Sequence, residues 1–507
     1  MKDKILFYLD ADFTHFAVAH FLQQKYDCEI YAIIDITDKP KEFFLKQKLV
    51  NFKKIWFVHD NINLDNDNVD LEYLKKVEEE FGINLWKIII NERIFYRFFN
   101  FHKFSRNELL SITEQLAKKF LKILNEIKPD FFILQQPALF HSELLYELVY
   151  NSGTKCMVLS QPKFGGKALV SESVRRIDNI ETLENVPFTN RTEKELLEYL
   201  SGKSQRKIFK KYYDNISNSK LQFLSAGLRY IANNNKHEQT HYTYFGRTKI
   251  KVIFSTLSGI IKKKIRERYM GKKLSMEFQE KMPYVYFPLA VDMERNVLID
   301  APFYTNQIEI IRTVAKSLPI NFKLVVKENP GQVSREWRKI SEYKEIIEIP
   351  NTIFIHPEYP SEKLIKDSSL VISLAGSTPL EAAFYQRPAI VFGDVVYSLI
   401  PSIIKAEKLE QLPELIKKAI NIKIDSSYLN RFIDLIEKSA VNFDMFEFQT
   451  KFNSEFYYQG SLFDVDIQEE KLKEFLILNK DNFDEIVNHH IKKMDEFKNN
   501  VKDQVNN

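Results

Sequence analysis

Val371-Ile-Ser-Leu-Ala-Gly-Ser-Thr-Pro-Leu-Glu-Ala-Ala-Phe-Tyr-Gln-Arg-Pro-Ala-Ile-Val-Phe-Gly393 decides the fold class of this 507-residue chain. It predicts a buried strand, a turn of small residues, a short helix and a second buried strand. Gly376 has no side chain, and Ser377 and Thr378 carry only hydroxyls, so a ligand can approach the turn backbone closely. Pro379 suits the first helical position, and the free N–H groups of that helix should point out of the turn. Such a terminus attracts phosphate. Thr378 and Glu381 also stand at the S/T-x-x-E spacing of a capping box, which needs no ligand. Both readings remain open on spacing alone. The segment suggests a nucleotide or phosphate site at the carboxyl end of a parallel sheet.

Outward from this stretch, strands and helices alternate. On its amino side the pattern predicts strand Tyr284–Phe287, helix Thr305–Ser317, strands Phe322–Val326 and Ile353–Ile355, helix Ser361–Lys366 and strand Leu370–Ser373. A similar block opens the chain: strand Ile5–Leu9, helix Thr14–Gln24, strands Glu29–Ile34 and Lys54–Val58. After a mostly helical stretch over 70–127 it resumes with strand Asp130–Leu134, helix Ser142–Tyr150 and strand Lys155–Ser160. The expected fold is α/β: two Rossmann-like, doubly wound domains with a helical insert and a helical C-terminal tail. The boundaries expected are 1–185, a Lys/Arg/Tyr-rich helical insert over 186–280, a second domain over 281–425, and an extension over 426–507 that frays after Lys498. Two such sheets are expected to leave a ligand cleft between their carboxyl edges.

Composition narrows the function. A net charge of +4 is too small over this length to imply nucleic-acid binding. Only Cys28 and Cys156 occur, both in strand-like runs, so a disulfide framework is excluded and a reducing compartment fits. The start of the chain, Met1-Lys-Asp-Lys-Ile-Leu-Phe-Tyr-Leu-Asp10, is too short in its apolar run for a signal peptide. No stretch approaches the ~18 apolar residues of a membrane span. A cytoplasmic protein, or one held at the inner face of the cell membrane, is expected.

The second block resembles the capsule polysaccharide biosynthesis glycosyltransferases, a family that includes the bacterial β-Kdo transferases. The resemblance is carried by Tyr284-Val-Tyr-Phe-Pro-Leu, Asp300-Ala-Pro-Phe-Tyr-Thr-Asn-Gln-Ile-Glu-Ile-Ile, Leu324-Val-Val-Lys-Glu-Asn-Pro330, the Ser-Leu-Ala-Gly-Ser-Thr-Pro-Leu-Glu-Ala run and Arg387-Pro-Ala-Ile-Val-Phe-Gly393. It is good over about 283–400, looser over 1–165 and absent elsewhere. It implies a GT-B architecture, an N-terminal acceptor domain and a C-terminal nucleotide-sugar domain. It also implies a CMP- or UDP-linked sugar as co-substrate, no other cofactor, and a glycan or lipid-linked acceptor. The family's Lys-x-His-Pro stands here as Lys327-Glu328-Asn329-Pro330, and Asn329 cannot become a cation.

Sugar transfer requires a stabilised leaving phosphate and a base for the acceptor hydroxyl. For the donor the candidates are Gly376, Ser377 and Thr378 at the turn, Lys327 as cation, Asn329, Glu381 for ribose hydroxyls, and His356 beside the base. Lys327 as a solvated strand-end lysine and His356 as a plain loop residue are the competing assignments. The acceptor base is expected from the first domain: Asp12, then Asp10, then Glu92, with His141 a further candidate. Asp12 or Thr14 as a simple helix cap competes. Gln135, Gln136 and Gln161 suit sugar hydroxyls. No metal site is expected, since His489-His490 lack partners at ligand spacing. The segment 249–273 carries nine Lys or Arg with apolar residues at helical spacing. Contact with anionic lipid and packing against the domains are both open for it.

Alternatives to the transferase are a related GT-B epimerase, a polyol-phosphate transferase, or a non-catalytic sugar- or nucleotide-binding scaffold of a glycan assembly complex. Scarce histidine weighs against the epimerase, and Asn329 weighs against the more histidine-dependent site of a polyol-phosphate transferase. The altered Lys-x-His-Pro keeps the scaffold in play.

Overall fold

The computed structural model describes residues 2–36, 39–63, 68–96, 101–163, 166–203, 220–232, 242–279 and 281–505. Two six-stranded sheets form the frame.

The first contains β1 (Asp3–Leu9), β2 (Cys28–Ile34), β3 (Phe52–Phe57), β4 (Phe131–Gln135), β5 (Lys155–Ser160) and β6 (Leu169–Ser171). Their order is β3-β2-β1-β4-β5-β6, and every pairing is parallel except β5 with β6. Parallel strands covered on both faces read as unbroken apolar runs, which is why Ile5–Leu9 has no polar residue facing out. Ile5, Phe7 and Leu9 enter one hydrophobic cluster, while Leu6 and Tyr8 enter the other. The chain winds outward in both directions from β1, so the switch of direction falls between β1 and β4.

The second sheet contains β7 (Tyr284–Pro288), β8 (Lys323–Lys327), β9 (Thr352–Ile355), β10 (Leu370–Ser373), β11 (Ala389–Val391) and β12 (Ile403–Lys405). Its order, β12-β11-β10-β7-β8-β9, is parallel throughout and repeats the winding of the first. The two doubly wound domains are therefore present. The sequence did not suggest β6 or β12, each three residues long.

The compact units do not follow four consecutive segments. One consists of 1–178, 205–247 and 439–507; the other of 179–204 and 248–438. The expected insert over 186–280 is shared between them, and most of the expected extension over 426–507 belongs to the first unit. The reason lies in the helices Met445–Phe456 and Lys480–Val505. Their Phe448, Phe452, Phe483, Ile486 and Val487 are buried in the cluster that holds Ile5, Phe7 and Leu9. The last helix also runs to Val505 rather than fraying after Lys498. Among the described residues, no helix is long and apolar enough to cross a membrane.

Candidate functional site

In the second unit every donor candidate lies at the carboxyl edge of the sheet. Gly376, Ser377, Thr378 and Glu381 follow β10, Lys327 and Asn329 lie at the end of β8, and His356 follows β9. β7 separates β8 from β10.

The turn is built from its own hydroxyls. Ser377 Oγ donates to Glu381 Oε1 at 3.1 Å, and the Glu381 N–H donates to the Ser377 carbonyl at 3.0 Å. The capping box of Thr378 with Glu381 does not form: Ser377 holds the N-cap position and no side chain caps the helix Thr378–Phe384. Gly376 and Ser377 are half-buried, while Thr378 is buried. The buried Tyr397 hydroxyl donates to the Gly376 carbonyl and pins the turn from below. A Cβ on Gly376 would come within 3.3 Å of Ser373 Oγ, which a small shift relieves. The glycine that packing demands is Gly393, where a Cβ would meet the Asp300 carbonyl oxygen at 2.7 Å and Ala375 Cβ at 2.9 Å.

Lys327 is not a solvated strand-end lysine. It is buried, and its Nζ donates to the Pro357 carbonyl at 2.9 Å. His356 is half-buried and its Nδ1 accepts the Glu358 N–H at 3.3 Å. Burial lowers its pKa; Glu358 opposes the shift and Lys327 reinforces it. Asn329 Oδ1 accepts the Gly331 N–H at 2.9 Å and so opens the short turn Pro330–Arg335.

Beneath these loops lies a buried ionic bracket that the sequence did not disclose. Arg338 Nε donates to Glu328 Oε2 at 3.0 Å, and its other nitrogens reach Asp292 Oδ2 at 2.6 Å and the Ala290 carbonyl at 2.6 Å. Tyr343 donates to Glu328 at 3.0 Å and Gln307 to Asp292 at 2.9 Å. Burial raises the pKa of Glu328, and the guanidinium opposes the shift. The bracket ties the loop after β7 to the loop after β8.

In the first unit Asp10 and Asp12 follow β1 directly. Asp10 Oδ1 accepts the Asp12 N–H at 3.2 Å, and Asp12 Oδ1 accepts the Thr14 N–H at 2.8 Å, starting the helix Thr14–Lys25. Asp12 Oδ2 accepts from Gln449 at 2.5 Å. Both oxygens of Asp12 are therefore engaged in structure. Burial, then the adjacent Asp12 carboxylate, holds the Asp10 carboxyl well above the usual range. A carboxyl that keeps its proton is a donor rather than a base. Glu92 is buried and accepts the N–H groups of Ile94 at 2.8 Å and Phe140 at 2.5 Å. It fastens two helix starts.

The same sheet edge gathers a cluster that sequence spacing hid. Asp35, directly after β2, accepts from His59 Nε2 at 2.8 Å, His141 Nε2 at 2.7 Å and Tyr8 Oη at 2.9 Å. His141 Nδ1 meets Tyr242 Oη at 2.5 Å. Burial alone would raise the pKa of Asp35, but the histidines outweigh it and keep the carboxyl well below its usual range. Burial lowers His59 to about 4 despite Asp35. The ligand-type atoms of Asp35, His59 and His141 lie within 4.8 Å of one another. Two imidazoles and a carboxylate suit a divalent transition metal in kind. Here both Nε2 atoms are spent on Asp35, so the geometry is that of a proton-sharing network. His141 was a candidate in the sequence; Asp35 and His59 were not. Their one signal was position, each lying within two residues of a strand's carboxyl end.

Two sheets wound in the 3-2-1-4-5-6 sense, parallel but for β6, with polar groups at their carboxyl edges, define a protein of two Rossmann-like domains. Residues 191–411 match the family model described as "Capsule polysaccharide biosynthesis protein". The match encloses the whole of the second sheet. Among solved structures, the β-Kdo 2,7 transferase KpsC of Thermosulfurimonas dismutans aligns at 15% identity and TM-score 0.30, covering 69% of this chain and 87% of its own. The UDP-GlcNAc 2-epimerase of Methanocaldococcus jannaschii aligns at 11% and 0.25, covering 86% and 99%. The N-terminal domain of Candida albicans trehalose-6-phosphate phosphatase aligns at 11% and 0.30, covering 91% and 97%. Scores this low carry no argument, and the fold rests on the strand orders. No curated protein matches.

Proposed function

We propose that this protein is a glycosyltransferase that moves a sugar from a nucleotide-sugar donor to a capsular or lipid-linked glycan. The observation that carries the proposal is the coincidence of the capsule-family match with a Rossmann-like sheet bearing the Gly376-Ser377-Thr378 turn at its carboxyl edge. In this proposal the donor phosphates meet the turn's N–H groups and hydroxyls, and no metal is needed for them. Ser377 leaves Glu381 to do so, which frees that carboxylate for the ribose. Lys327, fixed on the Pro357 carbonyl, supplies positive potential from within rather than a mobile contact. Asn329 and His356 line the approach from the neighbouring strands. The acceptor falls to the first unit, with Asp12 the preferred base over Asp10 and Glu92. Burial raises the pKa of both Asp10 and Glu92, which supports that order, and Asp12 would release Gln449 to act. The enzyme would work in the cytoplasm, on the inner face of the membrane where lipid-linked acceptors lie.

The test is a thermal-shift screen against CMP-, UDP-, GDP- and CDP-linked sugars, followed by assay of transfer with the donor that shifts the midpoint. Ser377→Ala should weaken donor affinity about tenfold, the loss of one charge-assisted hydrogen bond, with the unfolding midpoint unchanged. Undiminished affinity in this variant would remove the turn from the site.

One observation supports a second reading, a non-catalytic nucleotide- or sugar-binding scaffold. Asn329, at the position of the family's histidine, already spends its carbonyl on Gly331. A donor that binds but is never turned over would select the scaffold.

A further inference from the structure

The helix Lys249–Lys273 is packed the wrong way round for a soluble protein. Its inner face is polar and small. Gly259 is buried so closely on Glu336 that a Cβ there would lie 2.1 Å from that carboxylate. Arg266 donates to the carbonyls of Glu336 and Trp337 at 2.8 and 2.9 Å. Met270 alone of its large apolar residues is fully buried. The opposite face carries Ile250, Phe254, Leu257, Ile261 and Ile265, at spacings of three and four residues that align them along one side. They are 71%, 71%, 55%, 60% and 54% exposed, and Ile253 and Ile260 widen the stripe. Single exposed apolar residues need no explanation, but a continuous stripe over four turns of one helix does.

We infer that this outward face docks on an anionic lipid bilayer, lying in the interface with the apolar stripe turned into the acyl boundary. The charge pattern selects that occupant. The helix holds nine Lys or Arg against one acid, Glu267, whose carboxylate accepts from the Trp337 indole. Arg266 turns inward to backbone carbonyls. Lys262, Lys264, Arg268, Lys272 and Lys273 are exposed, and Arg268 and Lys272 continue the line of the stripe beyond Ile265. An apolar strip bordered and extended by cations is the signature of an interfacial helix drawn to acidic headgroups. Its charges exclude a span. A protein partner would need a groove both apolar and strongly acidic, whereas an acidic bilayer offers both properties over any length. The inference stands on the helix face alone and does not depend on sugar transfer.

The experiment is vesicle flotation of the full chain, with phosphatidylcholine alone and with about one third phosphatidylglycerol. Leu257→Glu/Ile261→Glu is compared with the unaltered protein, alongside sedimentation velocity without lipid. The expected result is binding to the acidic vesicles only, weakened as salt rises and the screening length falls towards ~3 Å. The double variant should lose at least about tenfold in partitioning while keeping its unfolding midpoint, because both side chains are exposed. Four results would overturn the inference: no binding to either vesicle, equal binding to both, binding unaltered in the double variant, or self-association that the double variant abolishes with no lipid binding.

Discussion

At the residue scale, the chemistry of the second unit depends on groups that never meet solvent. Arg338 is flanked by Glu328 and Asp292, all three buried, and holds together the loops that carry Lys327 and Asn329. Removing one member of such a set strands a buried charge, which costs about 3–5 kcal/mol. Arg338→Met should lower the urea midpoint of the second unit's transition by that free energy, and weaken donor binding through loosened loops. Equilibrium unfolding followed by the fluorescence of Trp337, which adjoins Arg338, reads the first effect. Little of this was legible in the sequence. Glu328 adjoins the Lys327 that the motif singled out, yet its partners lie 36 residues before and 10 after it, and no spacing rule joins them. Asp35 and His59 escaped for the same reason. What sequence does expose is a turn whose parts are contiguous, such as Ala375–Pro379.

At the element scale, legibility followed burial. β1, β5 and β10 were read to within two residues at each end, because a parallel strand covered on both faces is apolar without interruption. β6 and β12, at three residues, are too short to carry a period. A helical tail was expected, but an apolar stripe on a helix does not say which surface it will cover. That surface is the face of the first sheet lined by Ile5, Phe7 and Leu9. Phe483 is fully buried there, against Phe21, Phe443 and Phe448. Phe483→Ala should cost about 3–5 kcal/mol. The loss should fall on the unfolding of the first unit, leaving the second unit's transition in place, as calorimetry of the full chain would show.

At the scale of the whole molecule, titration should separate the two units. His15 and His490 are buried in the first unit, and neither Nε2 has a hydrogen-bond partner among the described residues. Burial lowers His15 to about 3, with His490 adding to the shift, and lowers His490 to about 4, against an ordinary 6.5. Below 6.5 the unfolded chain takes up protons that the folded unit refuses, so stability falls as pH falls. The loss runs from about 6.5 down to the folded values and reaches about 1.4 kcal/mol per pH unit for each histidine. The first unit's midpoint should therefore drop steeply between pH 6.5 and 4. His490→Asn, which keeps a donor near the Ile486 carbonyl, should flatten the slope. A slope unchanged in that variant would rule out His490 as its source.

The first unit is assembled from segments on either side of the second sheet, 1–178 and 205–247 before it and 439–507 after it. A ribosome delivers β1 more than 400 residues before the helices that shield its underside. The second unit, by contrast, has every strand available before residue 439 is made. The first sheet is thus made before the second but finished after it, and its bare side needs guarding by chaperones while the second unit is synthesised.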